Sequence, residues 1–314
     1  MVKYTIQKIL SIIPVLIGIS IIAFTLGALS PGDPAEIALS NDGAYTPTPE
    51  QIHQKKIELG LDQAVYKQYL SWGKKVLKGD MGTSYKTNKE VGGEIIRHLP
   101  VTLKLSGYAM VIACFFGISS GILSAAFRGG ILDKMIKTIT NVMLSVPGFW
   151  LGILLILVFS EQLRLLPTSG TGGFAYMIMP AFTLACPTTA TVTRLTRSAL
   201  LTEFGKQYYM AADAKGISRT RLILCNALPN AIIPIITLMG NYFGGIMGGS
   251  IIVENIFSLP GIGSFAVNAI YNRDYPAIQG YVLFAGAIFV GVSLLVDLLC
   301  LAINPRMRLG GEGN

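Results

Sequence analysis

Long runs of apolar residues alternate with short polar segments along the chain. Three runs, residues 9–29, 105–127 and 138–160, contain no charged residue. Each is long enough to cross the roughly 30 Å hydrocarbon layer, since about 20 helical residues at 1.5 Å rise suffice. Three further runs contain turn residues or a charge, and trimming them gives spans at 174–193, 230–253 and 280–303. The pattern predicts an all-α integral membrane protein with six transmembrane helices.

The composition agrees with this interpretation. Hydrophobic residues make up 52% of the chain and charged residues only 13%, whereas soluble proteins carry about 25% charged residues. The first run has the basic flank of a signal peptide in Lys3 and Lys8. Its apolar part exceeds the usual 7 to 15 residues and no convincing cleavage site follows, so we expect a retained first helix.

The basic residues predict the orientation in the membrane. Thirteen of them lie on one side of a six-span arrangement: Lys3, Lys8, Arg128, Lys134, Lys137, Arg194, Arg197, Lys206, Lys215, Arg219, Arg221, Arg306 and Arg308. The short opposite loops hold only Arg164 and Arg273. Because basic residues concentrate in cytoplasmic loops, we expect both termini in the cytoplasm and a multi-pass protein of the cell membrane. The net charge of +8 follows from this distribution and does not indicate nucleic-acid binding.

The expected organisation has four parts: a transmembrane helix at 1–30, an extracytoplasmic helical insertion at 31–100, a core of five transmembrane helices at 101–305, and a cytoplasmic tail at 306–314. Within the insertion, Thr48, Pro49 and Gln51 form the pattern of a capped helix start, and Gly60 marks the helix end. Residues 64–77 place aromatic side chains among lysines. That stretch is either a helix at the lipid headgroups or part of a small solvated domain.

Several residues inside the predicted spans indicate irregular or close packing. Pro147, Pro180 and Pro187 each remove a backbone donor and are expected to kink or break their helices. Glycine pairs four residues apart, Gly240/Gly244 and Gly245/Gly249, are typical of tightly packed helices. Asp297 is the only formal charge well inside a predicted span, and we expect a structural role for it rather than a part in a proton relay.

Residues 194–229 form a cytoplasmic segment between the fourth and fifth spans. The pattern predicts one helix at 200–214 ending in a left-handed cap at Gly216, and a second at 219–228 capped by Ser218 and stopped by Pro229. A DNA-binding helix-turn-helix is disfavoured, because its recognition helix would be pinned at the membrane. Two short helices tethered at both ends could instead transmit movement to the spans.

This segment resembles the hallmark loop of permease subunits of binding-protein-dependent ABC importers, Glu-Ala-Ala-x3-Gly-x9-Ile-x-Leu-Pro. The chain has Ala211, Ala212, Gly216, Leu228 and Pro229 at the matching positions. It departs from the motif with Met210 for the glutamate and Asn226 for the isoleucine. The resemblance implies that Met210, Ala211, Ala212, Asp213, Gly216, Leu228 and Pro229 contact an ATPase subunit.

Further segments resemble the first-subunit permeases of the peptide and nickel branch: 31–35, 59–62, 68–69, 79–84, 253–263, 272–276 and 304–306. The resemblance implies a type I ABC importer permease (MetI-like) fold. It also implies four kinds of partner: a homologous second permease subunit, two cytoplasmic ABC ATPase subunits, an extracytoplasmic substrate-binding protein and the lipid bilayer. Dipeptides, oligopeptides and a nickel chelate are all permitted as substrate, with 254–257 and 272–276 slightly closer to the nickel type.

The sequence offers no catalytic site. It contains no G-x-x-x-x-G-K-[ST] motif, so ATP and magnesium are expected only on the partner subunits, and we expect no cofactor on this chain. His53 and His98 are its only histidines, and no metal site is expected. A secondary transporter or channel without an ATPase remains the alternative, although the internal repeats and paired intramembrane charges typical of that class are not visible.

Overall fold

The computed structural model describes residues 2–29, 32–39 and 47–303, and these residues are almost entirely helical. One isolated antiparallel bridge joins Thr83 to Glu90. Two π-helical segments, Ile156–Gln162 and Leu222–Ala227, interrupt the α-helical pattern. The α-helices are α1 Val2–Leu29, α2 Pro34–Leu39, α3 Pro49–Leu59, α4 Val65–Leu77, α5 Val91–Ala126, α6 Ile131–Ser145, α7 Gly148–Leu155, α8 Ala175–Phe204, α9 Gln207–Ala214, α10 Arg219–Arg221, α11 Leu228–Met247, α12 Ile251–Ile256, α13 Ile262–Tyr271 and α14 Tyr275–Ile303.

By length and composition, four of the described helices could cross a membrane: α1, α5, the continuous helix Arg219–Met247, and α14. A fifth candidate is the pair α6 and α7 with its π-helical extension, which together are apolar enough but bend by 97°. The predicted span at 138–160 is therefore bent, and the break expected at Pro147 is confirmed. Val146 and Pro147 are extended, and Pro147 caps α7, because a residue before proline is pushed out of the helical region.

Helix α8 is the centre of the bundle and corresponds to the predicted span 174–193. It is 30 residues long and packs most extensively against α5, with further contacts to α6, α7 and α11. Its threonines and prolines make it less apolar than the other long helices, which suits a helix enclosed by protein. The predicted breaks at Pro180 and Pro187 do not occur, since α8 runs through both. Several threonine hydroxyls donate to carbonyls along it, such as Thr191 to Pro187 at 2.9 Å, and these hydroxyls need no water.

Glycines of α11 bring that helix against α14. A Cβ atom at Gly240 would lie 2.0 Å from Val296 Cγ2, and one at Gly244 would lie 3.2 Å from the Phe289 ring. The first glycine pair therefore serves helix packing. Gly245 has nothing within 4 Å of such an atom. Helix α11 ends at Met247 rather than continuing to residue 253, because Gly249 takes a φ of 111° that turns the chain into α12.

The buried carboxylate of Glu254 fixes the irregular α12–α13 connection. Its Oε1 accepts from Thr102 Oγ1 of α5 at 2.9 Å, and its Oε2 accepts from the backbone N–H of Ser264 at 2.9 Å. Thr102 Oγ1 in turn accepts from the N–H of Ile262 at 2.9 Å. A Cβ atom at Gly261 would lie 2.4 Å from Glu254 Cδ. The glycine therefore leaves the room that the carboxylate occupies.

The N-terminal insertion confirms two local predictions and changes one boundary. Thr48 and Gln51 form a complete capping box, and Gly60 ends α3 with a φ of 70°. The predicted boundary at residue 100 falls inside α5, which begins at Val91 and runs through Pro100. Residues 304–306 and the predicted tail at 306–314 lie outside the described residues.

Replacing Thr102 with valine keeps the side-chain volume but removes the hydroxyl shared by Glu254 and Ile262. The Ile262 N–H and one carboxylate oxygen then lose a partner where no water replaces it. We expect a loss of about 2–4 kcal/mol in the free energy of unfolding. Thermal denaturation of the purified chain in detergent measures this loss. Thr102→Ser retains the hydroxyl and serves as the control; equal stability of the two variants would contradict the assigned role of this hydrogen-bond network.

Candidate functional site

The predicted helix at 200–214 is two helices in the structure, and this separates α9 from the membrane part. Helix α8 ends at Phe204, and α9 begins after Lys206, which is extended. The buried carboxylate of Glu203 holds the turn because its Oε1 pairs with Lys206 Nζ at 2.6 Å. The break at 205–206 therefore turns α9 away from the direction of α8.

The end of α9 has the predicted left-handed turn. Gly216 has a φ of 75°, and its N–H donates to the carbonyl of Asp213 at 2.9 Å. A left-handed backbone favours glycine because other side chains are strained there. Ser218 occupies the N-cap position of α10 as predicted, but its side chain makes no capping hydrogen bond.

Pro229 does not stop a helix, contrary to the prediction for 219–228. The π-helical segment Leu222–Ala227 joins α10 to α11, and Pro229 lies in the first turn of α11. The missing N–H of proline costs the helix little stability where the hydrogen-bonding pattern changes from π to α. Because Arg219–Met247 is continuously helical, displacement of α10 acts directly on a helix that is long enough to span the membrane.

Most of the predicted contact residues are exposed. None of the residues of α9 is buried, and the Met210 side chain is 55% exposed. Ala211, Asp213 and Gly216 are exposed, whereas Ala212 is half-buried. At the far end of the segment, Pro229 is exposed, but Leu228 packs on the core cluster of Ala125, Leu200, Ile223, Ala227 and Ala231. The structure thus gathers five of the predicted residues on or beside α9 and assigns Leu228 to packing.

Tyr208 connects α9 to two long helices. Its hydroxyl donates to Glu203 Oε2 of α8 at 2.6 Å and accepts from Asn230 Nδ2 of α11 at 3.2 Å. Burial raises the pKa of the Tyr208 phenol, the Glu203 carboxylate raises it further, and the Asn230 hydrogen bond opposes the shift. The raised pKa keeps the hydroxyl protonated throughout the physiological range, so it remains a donor to Glu203.

The aromatic ring of the next residue fixes α9 from its other side. Tyr209 stacks obliquely on Phe204, with ring centroids 4.8 Å apart. Burial also raises the pKa of the Tyr209 phenol, with the Asp213 charge adding to the shift. Tyr209 holds α9 by ring packing, whereas Tyr208 holds it by hydrogen bonds.

A second polar cluster joins the turn between α5 and α6 to α8. The buried Asp133 carboxylate pairs with Arg197 Nε at 2.8 Å and Lys137 Nζ at 3.0 Å, and it accepts a hydrogen bond from Ser124 Oγ at 2.6 Å. Arg219 of α10 donates to the carbonyl of Ala126, the last residue of α5. The α5–α6 turn is thereby attached both to the central helix and to the segment that follows α9.

At the opposite end of the bundle, two segments identified from the sequence meet. Ser84 Oγ donates to Asp274 Oδ2 at 2.5 Å, and the N–H of Tyr85 donates to Asp274 Oδ1 at 3.1 Å. Burial, together with the charge of Asp274, raises the pKa of the Tyr85 phenol to about 12. The buried Asp274 thus ties the 79–84 segment to the start of α14.

Glu203, Tyr208 and Asn230 are contact residues that the sequence analysis missed. Their partners are up to 22 positions apart in the chain, and no motif or periodicity relates them. Among the described residues, no group of three or more His, Cys, Asp or Glu side chains could hold a metal ion. What the arrangement around α9 can do is mechanical: an exposed short helix is linked by hydrogen bonds to α8 and α11.

Comparisons with known proteins identify the family. Residues 117–309 match the model of the binding-protein-dependent transport system inner membrane component, and residues 1–106 match the N-terminal model for membrane components of these systems. The chain is 38% identical over 308 residues to the glutathione transport system permease protein GsiC of Escherichia coli strain K12, covering 98% of this chain and 99% of that protein. The GsiC protein of Shigella flexneri serotype 5b is 37% identical over the same length.

The fold is similar to solved structures of the MetNI methionine ABC transporter in inward-facing conformations. One chain has a TM-score of 0.56 at 18% identity, covering 67% of this chain and 96% of that one. A second crystal form gives a TM-score of 0.57 with the same coverage. These structures support the expected type I permease fold. The chain therefore belongs to the family of inner membrane components of binding-protein-dependent transport systems, as a permease subunit of an ABC importer.

Proposed function

We propose that α9 is the element through which partner ATPases drive this permease. Two observations support this proposal. No residue of α9 is buried, and Tyr208 attaches the helix to α8 and α11 by hydrogen bonds. Small side chains at Ala211 and Ala212, and none at Gly216, permit a close approach by another protein. ATP binding closes the ATPases, α9 moves with them, and the long helices change their arrangement to open the path to the opposite side.

The complex that this mechanism requires contains a second, homologous permease, two cytoplasmic ATPases and an extracytoplasmic binding protein. The described part of the chain provides one set of transmembrane helices, which would line half of a path. We propose six spans: the four long apolar helices, the bent α6–α7 pair, and α8 as the enclosed central helix. We also propose that this segment and both termini are cytoplasmic, and the basic residues of 194–229 support this orientation.

For the substrate, we propose a small peptide. The support is the similarity over 98% of the chain to permeases named for glutathione transport, and glutathione is a tripeptide. The two segments that resemble the nickel branch, 254–257 and 272–276, supply Glu254 and Asp274. Both carboxylates are buried in hydrogen bonds within the chain, so each has a structural role that does not depend on nickel. The nickel chelate remains the second candidate.

The coupling role predicts that Gly216→Asp separates ATP hydrolysis from transport. Aspartate tolerates a left-handed backbone better than most residues, so the helices remain folded, but its side chain and charge obstruct docking. We expect uptake by the reconstituted complex to fall at least tenfold, while the chain is inserted in normal amounts. Uptake into proteoliposomes and co-purification of the ATPases are the measurements.

Gly60 provides a matched control for that substitution. It also has a left-handed backbone, with a φ of 70°, and open space around a Cβ atom. Gly60→Asp therefore imposes a similar strain at a site remote from α9, and it should retain the association with the ATPases. Normal uptake by the Gly216→Asp complex would exclude α9 and its end as the docking element.

Tyr208→Phe should weaken transmission without preventing docking. The variant keeps the ring but loses the hydroxyl that joins Glu203 to Asn230. We expect ATPase binding to be unchanged, and the number of substrate molecules transported per ATP hydrolysed to fall several-fold. Tyr209→Phe is the control, because Tyr209 packs on Phe204 through its ring. Identical transport per ATP in both variants would contradict the role of the Tyr208 hydroxyl.

The substrate proposal predicts uptake of peptides by the complete complex. Proteoliposomes that contain both permeases, the ATPases and the binding protein should accumulate radiolabelled glutathione or another short peptide when ATP is enclosed in the vesicle lumen with the ATPases. Binding of the same peptide to the isolated binding protein is the second measurement. Uptake of a nickel chelate with no peptide uptake would favour the second candidate and would leave the coupling role of α9 intact.

A further inference from the structure

Helix α4 carries two parallel stripes of exposed side chains. Tyr66, Leu70 and Leu77 follow helical spacing and are 63%, 57% and 90% exposed. Lys67, Lys74 and Lys78 also follow helical spacing and form a second row beside the first, and all three are exposed. None of the residues of α4 is buried. An apolar stripe bordered by lysines is typical of a helix that lies in a membrane interface.

The contact of α4 with α1 fixes how deep it lies. Tyr69 Oη and Ser20 Oγ are hydrogen bonded at 2.8 Å, and the rings of Tyr69 and Trp72 lie 5.5 Å and 5.8 Å from that of Phe24. Ser20 lies inside the apolar window Leu10–Gly27 of α1, seven residues before its end, which corresponds to about 10 Å of helix. Tyr69 therefore reaches beside the part of α1 that faces hydrocarbon, the depth at which interfacial helices bury their apolar side.

The lysines of the α4 stripe differ from other lysines of the insertion. Lys55, Lys56 and Lys89 pair with carboxylates of Glu58, Asp33 and Glu94 at 3.0 Å, 2.6 Å and 3.6 Å. In the part of the chain that the structure describes, Lys67, Lys74 and Lys78 form no salt bridge. A row of three cations beside an exposed apolar stripe is complementary to a membrane surface, which offers both hydrocarbon and anionic headgroups.

We propose that α4 lies in the headgroup layer of the bilayer and that Lys67, Lys74 and Lys78 bind the phosphate groups of anionic lipids. Tyr66, Leu70 and Leu77 insert toward the acyl chains, while the lysine stems extend back to the headgroups. A soluble protein partner would compete with hydrocarbon at the depth set by the Tyr69–Ser20 contact. The depth and the charge together favour lipid as the occupant. Lipid binding at this site requires neither α9 nor the ATPases.

Tryptophan fluorescence tests the location and the lipid preference together. The chain has two tryptophans, so Trp150→Phe in the full-length chain leaves Trp72 of α4 as the probe. The chain is reconstituted in vesicles in which either phosphatidylglycerol or phosphatidylcholine carries bromine on its acyl chains at the same mole fraction. We expect bromine to quench Trp72, and brominated phosphatidylglycerol to quench more strongly, because lysines concentrate anionic lipid about fivefold each near a membrane surface.

Substituting Lys67, Lys74 and Lys78 together with glutamine should make the two brominated lipids equally effective. The charge-matched control replaces Lys55, Lys56 and Lys89 with glutamine, which removes only exposed salt bridges of small energetic value, and it should keep the preference. Equal quenching by the two lipids in the parent chain, or an equal loss in the control, would overturn lipid binding by these lysines. Quenching by aqueous iodide with none from either brominated lipid would place α4 in water, as expected of a surface that binds a soluble protein.

Discussion

The structure depends on pairing buried polar groups within the protein, because the hydrocarbon interior of a bilayer offers no water as a substitute. Among the described residues, Thr196 Oγ1 is the one buried side-chain oxygen or nitrogen without a hydrogen-bond partner. Glu254 is the clearest case of such pairing. Its carboxylate is fully buried, and it receives hydrogen bonds from Thr102 and from the start of α13. This pairing allows the backbone between α12 and α13 to leave helical geometry inside the bundle. Gly261 and Gly263 make room for this carboxylate, since a Cβ atom at either would lie within 3 Å of the carboxyl group.

The sequence predicts the features that depend on local chemistry. The apolar runs locate the long helices, the capping box at Thr48 and Gln51 forms as expected, and Gly60 and Gly216 take the left-handed conformations that their positions indicate. Each of these features is decided within a few residues of the chain. The motifs that carry the family resemblance are also local, which is why the family is recognisable before any contact is known.

The errors arise where neighbouring elements override a local rule. Pro180 and Pro187 do not break α8, which is enclosed by other helices and stays helical through both residues. Pro229 begins a helix instead of ending one, because a π-helical segment precedes it. Glu203 pairs with Lys206 across the break after Phe204, and Tyr208 accepts a hydrogen bond from Asn230. These pairs follow from the folded arrangement and leave no periodic signal.

The contacts between helices give α9, the proposed coupling helix, a defined route into the bundle. Helix α10 continues through the π-helical segment into α11, and the glycine face of α11 packs on α14. On its other side α14 contacts α1, where a Cβ atom at Gly286 would lie 2.7 Å from Ile19. Close contacts of this kind transmit displacement because packed side chains cannot be compressed. Helix α14 is thus held between α11, which continues from residues 194–229, and α1, which α4 contacts. If lipid holds α4 in place, α1 is the anchored helix of this route, and a displacement of α11 reaches it through α14.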